Sequence, residues 1–204
     1  MLCAPDPMRE ARAAVAEIES DPTAKLLADA LPADASLVIV GWPEQAVGAL
    51  RRRGDLEVLI VDVDGEADEA VRQLQRMDVF ATAVSARNAA SAVAVADLVL
   101  LDCFGLGPDS LLAPAGSLAA AAVAQQLGVE VWALAGVGRL MPASMFDALL
   151  TRWSGSVEPL SATAEVVPHE LVTHCAVVAG VGTVSDSLTA TDCPVAPELF
   201  RLVG

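Results

Sequence analysis

Short aliphatic runs separated by helical segments govern what this chain can fold into. Leu37-Val38-Ile39-Val40, Val58-Leu59-Ile60-Val61, a weaker Val79–Val84 and Leu98-Val99-Leu100-Leu101 are followed by Val129–Ala135. Between them lie Pro43–Arg53, Glu66–Arg76, Arg87–Val95 and Ser117–Leu127, with apolar positions at helical spacing. Aliphatic runs without polar alternation suit strands covered on both faces, hence a parallel sheet between helical layers. Gly54 and Gly128 stand where a left-handed residue commonly ends a helix. The prediction is a doubly wound, mostly parallel, Rossmann-like α/β domain over residues 35–204. Right-handed crossovers gather the strand C-termini along one edge, where ligands bind in such folds. That edge receives Gly41-Trp42, Asp62-Val63-Asp64, Ser85-Ala86-Arg87, Asp102-Cys103-Phe104 and Gly136–Arg139.

The flanks are less regular. Residues 1–34 read as an N-terminal helical segment and linker, amphipathic over Met8–Ala30 and broken at Asp21-Pro22, where Pro suits the first turn of a new helix. Beyond Met141 the spacing predicts a helix over Met145–Trp153, a strand over Ala162–Val167 and a helix over Pro168–Ala179.

Charge and composition exclude several classes of function. The 204 residues carry 27 acidic and 12 basic groups, a formal charge of −15, so the field repels polyanions. Lys25 is the sole lysine and Arg51-Arg52-Arg53 the sole basic cluster, too little for a nucleic-acid surface that works by neutralising phosphates. A hydrophobic content of 54% rules out a disordered chain. The longest apolar runs, Ala113–Val123 and Val129–Val137, are interrupted well short of the ~20 residues a bilayer needs, so no membrane partner is expected. Met1–Pro7 lacks the basic and apolar regions of a signal peptide, and the expected location is cytoplasmic. Cys3, Cys103, Cys175 and Cys193 are widely spaced, and His169 and His174 are remote from most of them. Free thiols are expected, with no metal site and no cofactor.

Val58–Gly65 ends in Asp62-x-Asp64-Gly65, the form used by haloacid-dehalogenase-type phosphotransferases. Such enzymes need a downstream lysine, and none exists here; solvated strand-end carboxylates are the simpler reading. The pairs Gly105/Gly107, Gly136/Gly138 and Gly180/Gly182 lack the third glycine of a dinucleotide fingerprint. Gly116-Ser117 opens a helix at the ligand edge, with Ser117 expected as its N-cap, and free N–H groups there suit a phosphate. Arg139 is the cation expected beside it, with Arg87 a second. Cys103 stands where a nucleophile would, though a buried cysteine is more often an inert small hydrophobe. The two histidines read as partly exposed helix residues, and Trp42, Trp132 and Trp153 as packing residues.

Asp97-Leu98-Val99-Leu100-Leu101, a gapped loop, Ala115-Gly116-Ser117 and Gly128–Ala135 resemble the core of the alpha/beta/delta subunits of translation initiation factor 2B. That family also holds the methylthioribose-1-phosphate and ribose-1,5-bisphosphate isomerases. Its segments run D-x-V-L-V-G-A-D, N-K-x-G-T and G-V-P-x-Y-V-A-A, followed by a basic residue matched by Arg139. Val166–Thr173 and Gly180-Val181 resemble its V-P-x-E-L-I-T and closing G-V. The similarity spans Leu37 to Val181.

The departures carry functional weight. The family's catalytic aspartate falls on Phe104, leaving Asp102 or Cys103 as the nearest substitutes. The N-K pair falls on or near Pro114-Ala115, and the aspartate expected after the third strand falls on Ala86. The family's large helical N-terminal domain is reduced to Met8–Ala30. Aldose–ketose isomerisation requires a positioned proton-transfer group and cations against phosphate charge. The resemblance therefore implies a divergent relative without isomerase activity, binding a sugar phosphate or nucleotide through Gly116, Ser117 and Arg139 in a regulatory or assembly role. The alternative it leaves is an active sugar-phosphate isomerase with a rearranged site. It also implies a homodimer. The central expectation is a crevice in which an aromatic ring has replaced the working carboxyl; an acidic side chain opposite a guanidinium there would contradict it.

Overall fold

The strands in chain order are β1 (Ser36–Val40), β2 (Glu57–Asp62), β3 (Phe80–Ser85), β4 (Leu98–Asp102), β5 (Gly105–Leu106), β6 (Ser110–Pro114), β7 (Glu130–Ala135), β8 (Ala164–Pro168), β9 (His174–Val177) and β10 (Gly180–Thr183). The helices are α1 (Pro7–Glu19), α2 (Thr23–Ala30), α3 (Val47–Leu50), α4 (Ala67–Gln75), α5 (Ala89–Val95), α6 (Ser117–Leu127), α7 (Ala143–Ser156) and α8 (Val184–Ser187). They come from a computed structural model that describes residues 6–156 and 158–188. Cys3 and Cys193 lie outside the described residues.

Seven strands form one sheet in the order β10-β9-β7-β4-β1-β2-β3, parallel throughout except for the β9–β10 hairpin. The expected aliphatic runs occupy its centre. Ile39 lies opposite both Ile60 and Leu100, and Leu100 opposite Trp132. Because side chains alternate across a strand, Leu37, Ile39, Val58, Ile60, Leu98 and Leu100 pack with α2, α3 and α4. Val38, Val40, Val61, Val99 and Leu101 pack on the opposite face with α5 and α6. Each such buried aliphatic contributes about 1.5–3 kcal/mol, which is why continuous runs rather than alternation fill these strands.

Several expectations need correction. Pro43–Arg53 is helical only at α3; the preceding turn instead delivers Gln45 and Ala46 to the crevice. The predicted helix Pro168–Ala179 does not form. Pro168 ends β8, a single 3-10 turn follows, and His174–Val177 pairs with β7, burying Cys175, Ala176 and Val177. Sheet completion beside β7 outweighs local helical spacing there. The glycine-containing loop after β4 proves to be a β5–β6 hairpin that pairs through β6 with β8 in a second sheet. Gly107 belongs there because a Cβ would overlap the buried Phe146 ring. The cap of α6 is Gly116 at φ 94°, not Ser117, which is the first helical residue.

The segment before residue 34 divides in two. α1 ends at Ser20, whereas α2 buries Leu27 and Ala28 in the main core, joined by Leu31 of the linker. Arg53 fastens this linker: its guanidinium donates to the carbonyls of Ala28, Leu31 and Pro32 at 2.7–2.8 Å and pairs with Asp55 at 2.6 Å. The Asp55 partner holds the Arg53 pKa above its ordinary value, and Arg53 holds the Asp55 carboxyl well below the usual range. Arg53→Ala should cost about 2 kcal/mol, since three carbonyls lose a charged donor. Urea denaturation checks this; Arg51→Ala, at an exposed neighbour, serves as the control. So the one basic cluster is partly structural.

Candidate functional site

Strand order reverses between β1 and β4, and the turns leaving these strands open a crevice at the C-terminal edge of the sheet. After β1 the chain runs Gly41-Trp42-Pro43-Glu44-Gln45; after β4 it runs Cys103-Phe104. Gly41 adopts φ 72° and packs against Pro114 and Val63, so the turn hugs the strand ends.

Asp102, the last residue of β4, is 3% exposed. Its Oδ2 accepts from the backbone N–H groups of Gln45 (2.7 Å) and Ala46 (3.2 Å), and its Oδ1 accepts from the Gln45 side-chain amide. The same amide nitrogen donates to the carbonyls of Cys103 and Leu134, and Gln45 Oε1 accepts from Gly136 N–H at 2.7 Å. One side chain thus clasps the ends of β4 and β7. Burial pushes the Asp102 carboxyl up to about 6, against the lowering effect of Gln45, Ala46 and Arg139. Three protein donors already engage its two oxygens.

Arg139 donates to the Cys103 carbonyl at 2.7 Å and to Glu44 at 3.1 Å. Asp21, at the break between α1 and α2, accepts from Thr23 N–H and Val137 N–H, both at 2.8 Å. Gly136 lies between Asp21 and Gln45 with no room for a Cβ. The loop after β7 is therefore held from both sides.

Two depressions result. The smaller, about 150 Å³, is lined by Trp42, Glu44, Asp64, Asp102, Phe104, Pro114 and Thr163. The larger, about 330 Å³, lies toward the N-terminal helices and includes Asp21, Thr23, Glu44, Gln45, Val137 and Arg139 in its wall.

These positions correct part of the reading from sequence. Phe104 does stand in the crevice, 44% exposed. The crevice also holds the carboxylates of Glu44, Asp64 and Asp102, and Glu44 faces the Arg139 guanidinium, the arrangement that contradicts the expectation of a displaced carboxyl. Cys103 is fully buried, with its thiol 3.5 Å from the Leu101 carbonyl, and burial drives its pKa well above the ordinary value. It cannot serve as a nucleophile in this state. Gly116 and Ser117 line neither depression. Val63 packs over Gly116, and Leu118 N–H is taken by the Glu165 carboxylate at 2.6 Å. Ser117 is buried, and its hydroxyl has no partner among the described residues.

Arg87 is exposed on the turn after β3. Asp62 accepts from Gly65 and Ala67 N–H groups, a turn-capping role that accounts for the Asp-x-Asp-Gly sequence. His174 begins β9 at the far end of the sheet and stacks near Trp132. His169, in the 3-10 turn, has its pKa lowered by burial. Among the described residues no group of His, Cys, Asp and Glu is arranged to hold a metal, and no helix is long and apolar enough to cross a membrane. Gln45, Glu44, Asp21 and Thr23 escaped the sequence reading. The Asp21-Pro22 break was visible, but nothing in the sequence pairs it with Val137.

No family model and no curated protein matches the chain. Solved structures do share its fold. Translation initiation factor eIF-2B from Pyrococcus horikoshii OT3 superposes with a TM-score of 0.71 at 12% identity, over 85% of this chain and 68% of that one. The eIF2B beta subunit from Chaetomium thermophilum gives 0.67 at 15% identity, over 86% and 56%. The 5-methylthioribose 1-phosphate isomerase from P. horikoshii OT3 gives 0.66 at 15% identity, over 97% and 66%. This chain has the fold of the initiation factor 2B subunits and of that isomerase. It spans between half and two thirds of the length of most of them.

Proposed function

We propose that this protein keeps the initiation factor 2B-like fold for an assembly or regulatory role and does not catalyse sugar-phosphate isomerisation. The observation that carries this is the clasp on Asp102: both carboxylate oxygens are occupied by Gln45 and Ala46 donors. A proton-transfer group must reach the substrate in its working geometry, whereas Asp102 is buried and engaged. Arg139 is paired with Glu44 and the Cys103 carbonyl, so a phosphate reaching it must first displace Glu44.

Assay of ribose 1,5-bisphosphate and methylthioribose 1-phosphate tests the reading directly. No turnover at high enzyme concentration is expected; turnover abolished by Glu44→Gln would establish the rival reading, an isomerase with a rearranged site. Glu44 opposite Arg139 beside Phe104 is the observation that favours this rival.

A phosphorylated metabolite at Gly116, Ser117 and Arg139 is a separate reading, favoured only by the Ser117 hydroxyl, which has no partner among the described residues. Glu165 on Leu118 N–H and Glu44 on Arg139 oppose it. Thermal-shift measurements with ribose phosphates and nucleoside monophosphates decide: a shift lost in Arg139→Ala supports the metabolite, and none refutes it. The assembly role draws on a solved relative described as a tetrameric eIF2B-beta2-delta2 complex from C. thermophilum, similar at 15% identity over 89% of this chain, with a TM-score of 0.70. A homodimer is the proposed state, and light scattering that reads a monomer would refute it.

A further inference from the structure

The larger depression has a wall chemistry unlike that of a phosphate site. It presents a guanidinium, two carboxylates, the Gln45 amide and Thr23 beside an apolar surface of Ile18, Ala24, Leu134 and Val137. Arg139 and Glu44 form a single 3.1 Å contact, and the Glu44 side chain is 63% exposed, so it is free to swing. Thr23, the first residue of α2, belongs to the same wall. It is 2% exposed, and its hydroxyl has no hydrogen-bond partner among the described residues. A buried hydroxyl without a partner is costly and rare in native structures. Beside it the Asp21 carboxylate takes the Thr23 N–H at 2.8 Å, while the N–H of Ala24, also in the first turn, has no carbonyl within the helix to reach.

We propose that this depression binds a small zwitterion of the α-amino-acid class with an apolar side chain. The ligand's carboxylate lies against Arg139, and its ammonium group takes Glu44 in exchange for the guanidinium. The Thr23 hydroxyl gains a partner in the polar head, and the side chain lies on Ile18, Leu134 and Val137. A volume of about 330 Å³ falls at the lower end of small-molecule sites. A ligand of zero net charge also enters without opposing the −15 field, which a sugar phosphate does not. This reading goes beyond the non-isomerase role and leaves it standing if it fails.

Thermal shift followed by calorimetry tests it on the full chain, with single amino acids, their N-acetyl and amide derivatives, inorganic phosphate and ribose 5-phosphate as probes. At least one apolar amino acid should raise the melting temperature saturably, and blocking either charged end should weaken it by about tenfold or more. Thr23→Val should raise the melting temperature of the unliganded protein by about 2–4 °C, because an unpaired hydroxyl is removed, while weakening the amino acid. Glu44→Gln, at an exposed position, should weaken the amino acid without altering the fold. Three results would overturn the proposal: no amino acid shifts the protein, the N-acetyl form binds equally well, or phosphate compounds alone bind.

Discussion

Replacing Gln45 by alanine should lower the unfolding free energy by about 3 kcal/mol, the largest loss expected at any polar position of the crevice. The side chain makes four contacts at once: Asp102 Oδ1, the carbonyls of Cys103 and Leu134, and Gly136 N–H. Alanine leaves a buried carboxylate short of a donor, and removing one partner of a buried charge costs far more than the net worth of the bond. The carboxyl pKa should climb further, since the Gln45 side chain is the leading influence holding it down. Urea unfolding of both proteins at neutral pH supplies the measurement. A loss under about 1 kcal/mol would show that Gln45 is an ordinary surface amide. A double-mutant cycle with Asp102→Ala should return a strong coupling energy, as groups in one hydrogen-bond network do.

The pH dependence of stability should carry the signature of Asp102. Its folded-state value near 6 lies above the ordinary 3.8, so the folded chain keeps this proton to higher pH than the unfolded chain does. The group's favourable contribution is therefore full below about pH 4 and is lost as pH rises through 6. The displacement corresponds to about 3 kcal/mol. Asp97, Asp55 and Glu69 are held below their ordinary values by hydrogen bonds and act in the opposite direction, so the wild-type curve mixes both trends. Comparison with Asp102→Asn removes the mixture. Relative to that variant, the wild type should gain about 2 kcal/mol on acidification from pH 7 to pH 4. A difference that is flat with pH, or of opposite sign, would mean that Asp102 is ionised without penalty.

Both predictions concern a clasp that no local sequence rule reveals. Gln45 is 57 residues from Asp102 and 91 from Gly136. A glutamine after a strand carries no spacing signal, and its role exists only once β1 and β4 lie side by side. The same holds for Asp21 and Val137, 116 residues apart. Asp102, Phe104 and Arg139 were legible as crevice residues because each closely follows a strand whose aliphatic run is unmistakable. Their states were not legible. Whether Asp102 is a proton donor or a turn anchor depends on which N–H groups meet its oxygens.

Ser117 shows how a local rule is displaced. Serine is a preferred cap, yet Gly116 takes the position because the chain must enter α6 at φ 94° while lying against Val63 and Val40. The segment after Pro168 shows the same for secondary structure, where an open sheet edge beside β7 recruits His174–Val177 as a strand.

What the sequence alone determined is the layered sheet: aliphatic runs buried on both faces admit few other arrangements, because each strand needs apolar cover above and below. The strand-end edge, the anionic character and the break at Asp21-Pro22 followed from the same local chemistry. The tertiary structure alone decided which carboxylates are tied and which are exposed, that Cys103 is sealed, and that Arg139 already has a partner. Hydrogen bonding and burial depend on atoms brought together from distant parts of the chain, and periodicity holds no record of them.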